Sequence, residues 1–275
     1  MSDLGQMSEL APLREVIERY GLGAKKTLGQ HFLLDLNITR KIARLADLQS
    51  DERALEIGPG PGGLTRAVLE TGAALTAIER DTRCIEALGE LKQAYPNFEI
   101  VEGDALAADE LQLVDAPVKI LSNLPYNIST ELLIKWLKQP ELWSRMVLMF
   151  QKEVADRILA QPGSKTYGRL SVIAQAASSP SHGFNLPARA FTPPPKVDST
   201  VLCFDPPVKP PAALARLEDV TRSAFSQRRK MVRSSLNAAF GSNLQDALAA
   251  AEIPVTARAE EITVAQYLKL STFKP

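Results

Sequence analysis

The stretch "LEIGPGPGGLTRAVL", from Leu55 to Leu69, constrains the fold more than any other part of the chain. An apolar run, a turn crowded with glycine and an amphipathic run spell strand, tight turn and helix. Gly58, Gly60 and Gly63 keep the G-x-G-x-x-G spacing, at which missing side chains let the backbone bend sharply and approach a nucleotide. Taken alone, that spacing serves NAD, S-adenosylmethionine or a merely structural turn.

The same grammar repeats downstream. "RALEIG", "ALTAIER", "FEIVEGD", "VKILSN" and "RMVLMFQ" read as strands. "GGLTRAVLETG", "DTRCIEALGELKQAY", "DALAADELQL" and "STELLIKWLKQ" read as helices or helix-bearing connections. Such alternation predicts an α/β fold, a mostly parallel sheet wrapped by helices on both sides. Upstream, "LNITRKIARLADLQ" has helical spacing. Past Gln151, "RLSVIAQAAS" reads as a helix, and "HGFNLPARAF" with "DSTVLCFDP" as an edge hairpin around "FTPPPKVDS". Four prolines in "DPPVKPPAA" suit an interdomain linker, followed by segments that suit a small helical domain. The expected division is residues 1–205 and 206–275.

Polar residues finish successive strands. Glu79 stands 21 positions after Gly58, Asp104 another 25 on, and Asn123 another 19 on. An acid at the Glu79 offset lies at the carboxyl end of the neighbouring strand, where it can accept bonds from the hydroxyls of an adenosine ribose. Pro59 and Pro61 remove two backbone donors from the turn, which a pyrophosphate would miss and S-adenosylmethionine would not. The strands and connections from Arg53 to Gln151 carry no histidine to act as the acid or base of a dehydrogenase. Both points favour the methyl donor.

"LSNLPYNIST" then acquires a chemical reading. The exocyclic nitrogen of adenine is a poor nucleophile because its lone pair is delocalised into the ring. Acceptors that hold its hydrogens, such as the Asn123 side-chain oxygen and the Leu124 carbonyl, let it pyramidalise toward a methyl group. Pro125 stiffens that turn, and Tyr126 offers a plane for an extruded base, worth roughly 1–3 kcal/mol.

Several chemistries lack their parts. His31 and His182 stand alone, and Cys84 and Cys203 have no metal-site or disulfide spacing, so both cysteines read as small buried hydrophobes and no metal is expected. No apolar run reaches the length of a membrane span and no signal peptide is seen, so a cytoplasmic protein without membrane partners is expected. The 32 basic and 32 acidic residues balance overall, yet residues 206–275 hold ten Lys/Arg against six Asp/Glu. Arg222, Arg228, Arg229, Lys230 and Arg233 cluster there without an acid among them, the footprint of a phosphate-backbone contact or a solvated helix face.

With these motifs in place, the chain resembles the KsgA type of rRNA adenine N6,N6-dimethyltransferase along nearly its whole length. "KKTLGQHFLLD" is similar to that family's cofactor lid, "EIGPGPGGLT" to its glycine loop and "NLPYNIS" to its catalytic motif. "QKEVADRI" and "YGRLSV" resemble its following helices, "FTPPPKVDS" its edge hairpin and "FSQRRKMVRSSL" its C-terminal domain. The resemblance implies a Rossmann-like class I S-adenosylmethionine-dependent fold with a seven-stranded mixed sheet and a helical C-terminal domain. It implies that His31 and Leu33 touch the cofactor from the lid, Gly58 faces its methionine part, Glu79 holds the ribose, Asp104 recognises the adenine and Asn123 sits beside the transferable methyl. Phe191 becomes a second aromatic wall opposite Tyr126. The family carries Asn where this chain has His31. The implied substrate is a pair of adjacent adenosines in a hairpin near the 3′ end of small-subunit rRNA, on an immature 30S subunit. Lys25 and Lys26 add a second docking patch to the basic run, and a monomer is expected. The alternatives are a large-subunit methyltransferase of the resistance type and an assembly factor acting mainly by binding.

Overall fold

In a computed structural model the described residues are 10–23, 30–207, 214–227 and 230–273. The chain divides into two compact units, Met1–Lys152 with His182–Phe204, and Glu153–Ser181 with Asp205–Pro275.

The first unit opens with α1 (Leu13–Arg19), a two-residue strand β1 (Phe32–Leu33) and α2 (Leu36–Ala46). Then β2 (Arg53–Ile57), α3 (Gly63–Leu69), β3 (Ala74–Glu79), α4 (Thr82–Ala94), β4 (Phe98–Glu102), β5 (Val118–Ser122), α5 (Ser129–Leu137) and β6 (Trp143–Gln151) realise the expected alternation. β7 (Ser179–Leu186), β8 (Phe191–Thr192) and β9 (Ser199–Asp205) follow. Seven strands form one sheet in the order β4-β3-β2-β5-β6-β9-β7, parallel from β4 through β6 and antiparallel between β6 and β9. The sheet is the mixed one expected. Central strands read as nearly continuous apolar runs because helices cover both their faces: Leu55, Ala77, Ile120, Leu121 and Leu148 are fully buried.

Chain order reverses between β2 and β5, so the helices after these strands diverge and leave a crevice at their carboxyl ends, where an open α/β sheet binds ligands. Two of the surrounding helices, α2 and α4, are opened by side-chain caps. Asp35 accepts from the Asn37 amide at α2, and Asp81 from the Arg83 amide at α4.

Two features of the first unit differ from the sequence expectation. "DALAADELQL" condenses to a single 3-10 turn over Glu110–Gln112, because the Glu110 carboxylate is drawn inside to meet Lys135 Nζ and Trp136 Nε1. And β1 pairs antiparallel with β8, Phe32 opposite Thr192 and Leu33 opposite Phe191, a ribbon too short for periodicity to reveal.

The second unit comprises α6 (Lys152–Ile158), α7 (Arg169–Ala177), α8 (Leu214–Phe225), α9 (Val232–Ser235), α10 (Asn237–Phe240), α11 (Leu244–Ala250) and α12 (Val264–Ser271). Its aromatic centre explains why Glu153–Ser181, expected with the first domain, packs with the helices after Asp205 instead. Phe225 lies between Tyr167 and Tyr267, with ring centroids at 6.2 and 5.9 Å. Both tyrosine hydroxyls donate to backbone carbonyls, of Ile262 and Ala259, which satisfies them in a buried setting. Cys84 and Cys203 are buried and form no disulfide. Among the described residues no helix is long and apolar enough to cross a membrane, and no group of three or more His, Cys, Asp and Glu is placed to hold a metal.

Candidate active site

One pocket at the carboxyl edge of the sheet gathers Gly58 and Gly60 from the loop after β2, Glu79 from β3, Asp104 after β4, Asn123 to Tyr126 after β5, and His31 to Leu33 from the β1 segment. The glycines are obligatory for two distinct reasons. Gly58 and Gly60 have φ of 66° and 56°, a left-handed region that costs other residues. A Cβ on Gly60 would stand 3.1 Å from the Phe32 ring, and one on Gly63 only 2.5 Å from the Leu33 carbonyl oxygen. The β1 ribbon therefore lies directly against the loop and the first turn of α3.

Glu79 organises this wall. Its Oε2 accepts from Gly60 N at 3.1 Å, and its Oε1 from Arg80 N at 2.8 Å and Asp81 N at 2.9 Å. Burial pushes its carboxyl above the ordinary carboxylate range, against the pull of those amides. Gly58 N donates to Ile78 O and Gly62 N to Pro59 O, so with two prolines present the loop keeps few amides for a phosphate. Asp104 is exposed at the rim, accepting from Leu106 N and, at 3.3 Å, from Arg80 Nη1.

Sequence reasoning missed Glu56. It sits inside the apolar run of β2, lines the pocket, is 1 % exposed, and its Oε2 has no hydrogen-bond partner. Burial pushes this carboxyl up to about 8; Thr65 opposes the shift and the nearby Glu79 charge adds to it. The available signal was an acid in the middle of a strand whose other residues are buried and apolar.

The "NLPY" turn is tied to the lid segment. Asn123 Nδ2 donates to the His31 carbonyl at 2.9 Å, which leaves Oδ1 accepting no hydrogen bond. Tyr126 is held through its hydroxyl, 2.6 Å from Ser199 Oγ, and through its carbonyl, which accepts from Ser129 Oγ. The His31 ring stacks on Tyr126 with centroids 5.6 Å apart and planes at 29°. Its Nδ1 donates to the Pro193 carbonyl at 2.8 Å, because a carbonyl can only accept. Leu33 is 4 % exposed and Leu124 1 %. Phe191 is not brought to the pocket wall: it is 2 % exposed in the hydrophobic core, with its backbone paired to Leu33.

Arg222, on α8, pairs with Asp219 at 3.1 Å; Lys230 and Arg233 are exposed around the start of α9. Lys25, Lys26, Arg228 and Arg229 fall outside the described residues.

Comparison with known proteins decides the family. The family model described as ribosomal RNA adenine dimethylase matches residues 21–274. The chain belongs to that family. As a member it is an rRNA adenine dimethyltransferase of class I fold, and S-adenosyl-L-methionine is its methyl donor. Among curated relatives, "Ribosomal RNA small subunit methyltransferase A" of Phenylobacterium zucineum is 53 % identical over 268 residues, 96 % of this chain and 93 % of that one. The protein of the same name in Sinorhizobium medicae is 50 % identical, over 98 % and 99 % of the two chains. Among solved structures, a dimethyladenosine transferase from Plasmodium falciparum superposes with a TM-score of 0.74 at 27 % identity, covering 87 % and 96 %. The 23S rRNA methyltransferase ErmE gives 0.68 at 28 %, covering 88 % and 99 %.

The dimethylase pocket suits this donor chemically. S-adenosylmethionine carries a sulfonium and an ammonium but no phosphate. A loop whose amides are spent internally offers a pyrophosphate few donors, and the buried Glu56 and Glu79 carboxyls, held above the ordinary range by desolvation, gain an ionised state when a cation such as this one lies against them.

Proposed function

We propose that this dimethylase transfers methyl groups to N6 of two adjacent adenosines in a hairpin near the 3′ end of small-subunit rRNA, within immature 30S subunits in the cytoplasm, and acts as a monomer. Bound S-adenosylmethionine supplies an electrophilic methyl. Glu79, through the Oε2 lone pair that its three amide partners leave free, accepts from the ribose. Gly58, with the backbone at His31 and Leu33, borders the methionine part; Glu56 faces the cationic end, and Asp104 accepts from the adenine of the donor.

The observation that carries the reading is the state of Asn123. Its amide nitrogen is occupied by the His31 carbonyl, so its oxygen is the group left to receive the adenine N6 hydrogens. The Leu124 carbonyl is the second acceptor, Pro125 holds the turn, and Tyr126 is the stacking plane for the flipped base. Phe191 serves as the opposing aromatic wall only by leaving the core position described above. Arg222, Lys230 and Arg233, with Lys25, Lys26, Arg228 and Arg229, bind phosphates.

Relatives near 50 % identity with nearly complete mutual coverage bear small-subunit names, which favours this reading over the large-subunit one despite the likeness to ErmE. The test is incubation with methyl-labelled S-adenosylmethionine and unmethylated small subunits. Dimethyladenosine in the small-subunit RNA is the expected product; absence of label from every subunit preparation would overturn the proposal.

A further inference from the structure

A second concavity of about 480 Å³ in the first unit is bordered by Arg14, Asp35, Arg66 and Arg189, on the side of the β1–β8 ribbon given by Leu34 and Thr192. Its three arginines face one carboxylate, and Asp35 is already engaged in capping α2. Arg66 is the unusual one. It is 5 % exposed, its side chain forms no ion pair or hydrogen bond, and its Nε is buried without a partner. Glu90, the carboxylate whose charge favours Arg66, is itself bound by Arg19 and Tyr20. A guanidinium remains charged even when buried, and an uncompensated buried charge is costly, so a fold keeps one where an anion completes it. Arg14 and Arg189 are exposed, and neither is engaged by a carboxylate.

We propose that Arg14, Arg66 and Arg189 form a binding site for an RNA phosphodiester, separate from the methyl-transfer pocket. Planar guanidinium groups converging from α1, α3 and the turn before β8 present the forked donors that suit phosphate oxygens. The location gives the site a task. The β1–β8 ribbon lies between it and the pocket, with Leu33 lining the pocket and Leu34 the groove. A phosphate held here fixes the strand that carries the flipped adenosine at a set distance from Tyr126, a contact that positions RNA without reading its sequence. The inference rests on the reading of the substrate as RNA.

The test uses the full-length protein, unmethylated small subunits and a hairpin RNA containing the two adenosines. In the variant Arg14→Gln with Arg189→Gln, both changed side chains are exposed, so folding is spared. The expected result is affinity for the hairpin weakened about tenfold and a log–log salt slope smaller in magnitude by roughly 1.4, two contacts at about 0.7 each on a single strand. Binding of S-adenosylmethionine is expected to stay unchanged. Neutral methylphosphonate linkages placed one at a time around the adenosines then identify the contact: one linkage weakens the wild type and leaves the double variant unaffected. Arg66→Met supplies a second readout, because replacing a buried unpaired charge raises the melting temperature of the free protein while lowering RNA affinity, whereas a structural arginine would lower the first and spare the second. An unchanged affinity and salt slope in the double variant, with a wild type that binds and methylates, overturns this site and leaves the methyltransferase reading intact. A wild type that neither binds nor methylates RNA overturns the reading itself.

Discussion

Glu56 carries the sharpest consequence at the scale of single residues. Its carboxyl sits at about 8 in the folded protein, and in the unfolded chain an ordinary glutamate titrates near 4.3. Between those values the folded state binds more protons than the unfolded one, so this residue's contribution to stability falls as pH rises through the window and is constant above it. Glu56→Gln is therefore expected to raise the melting temperature by several degrees at pH 8, corresponding to a few kcal/mol at most, and to change it little at pH 5. Thermal denaturation at the two pH values checks this; an equal shift at both would show that burial does not perturb the group. His31 offers a separate prediction. Its ring stacks on Tyr126, the plane proposed above for an incoming base. Removing one aromatic stack of about 1 kcal/mol with His31→Asn is expected to lower KM for the RNA about fivefold with kcat nearly constant, as measured by steady-state methylation.

Among elements, the contact between ribbon and loop matters most. Gly63 begins α3, and its missing side chain is what admits the Leu33 carbonyl. Gly63→Ala places a carbon 2.5 Å from backbone, not from a flexible side chain, so β1 has to retreat. Since Asn123 is anchored to that same segment through the His31 carbonyl, the turn after β5 loosens with it. Affinity for S-adenosylmethionine is expected to drop at least tenfold in calorimetry, and the rate of methylation with it, while the sheet core stays cooperative in melting. Unchanged affinity would mean that the ribbon plays no part in the cofactor site.

For the molecule as a whole, methyl transfer and RNA docking are assigned to different groups and should separate. Glu79→Gln keeps an acceptor for the loop amides but alters the group offered to the ribose; it is expected to lose most methylation and retain binding to unmethylated subunits. Lys230→Ala with Arg233→Ala is expected to weaken subunit binding and flatten its salt dependence by roughly 1.4 to 1.8 in log–log slope, with S-adenosylmethionine affinity unaltered. Release of the subunit by the Glu79 change alone, seen in sedimentation, would refute that separation.

What the sequence determined by itself is what repeats at short range. Apolar periodicity, helix-opening aspartates at Asp35 and Asp81, and glycine spacing at Gly58, Gly60 and Gly63 are local preferences, and they specify the alternating elements and the polar residues at each strand end. Residue type alone also marked Asn123 and Tyr126. Tertiary structure decided the rest, because contacts between distant segments leave no periodic trace. Only folding carries Phe191 into the core, draws Glu110 inward, turns Glu79 into a clasp for the glycine loop and buries Arg66 without a counter-ion. Burial converts those ordinary charges into costly or shifted ones, and burial is a property of what surrounds a residue in space, not of its neighbours along the chain.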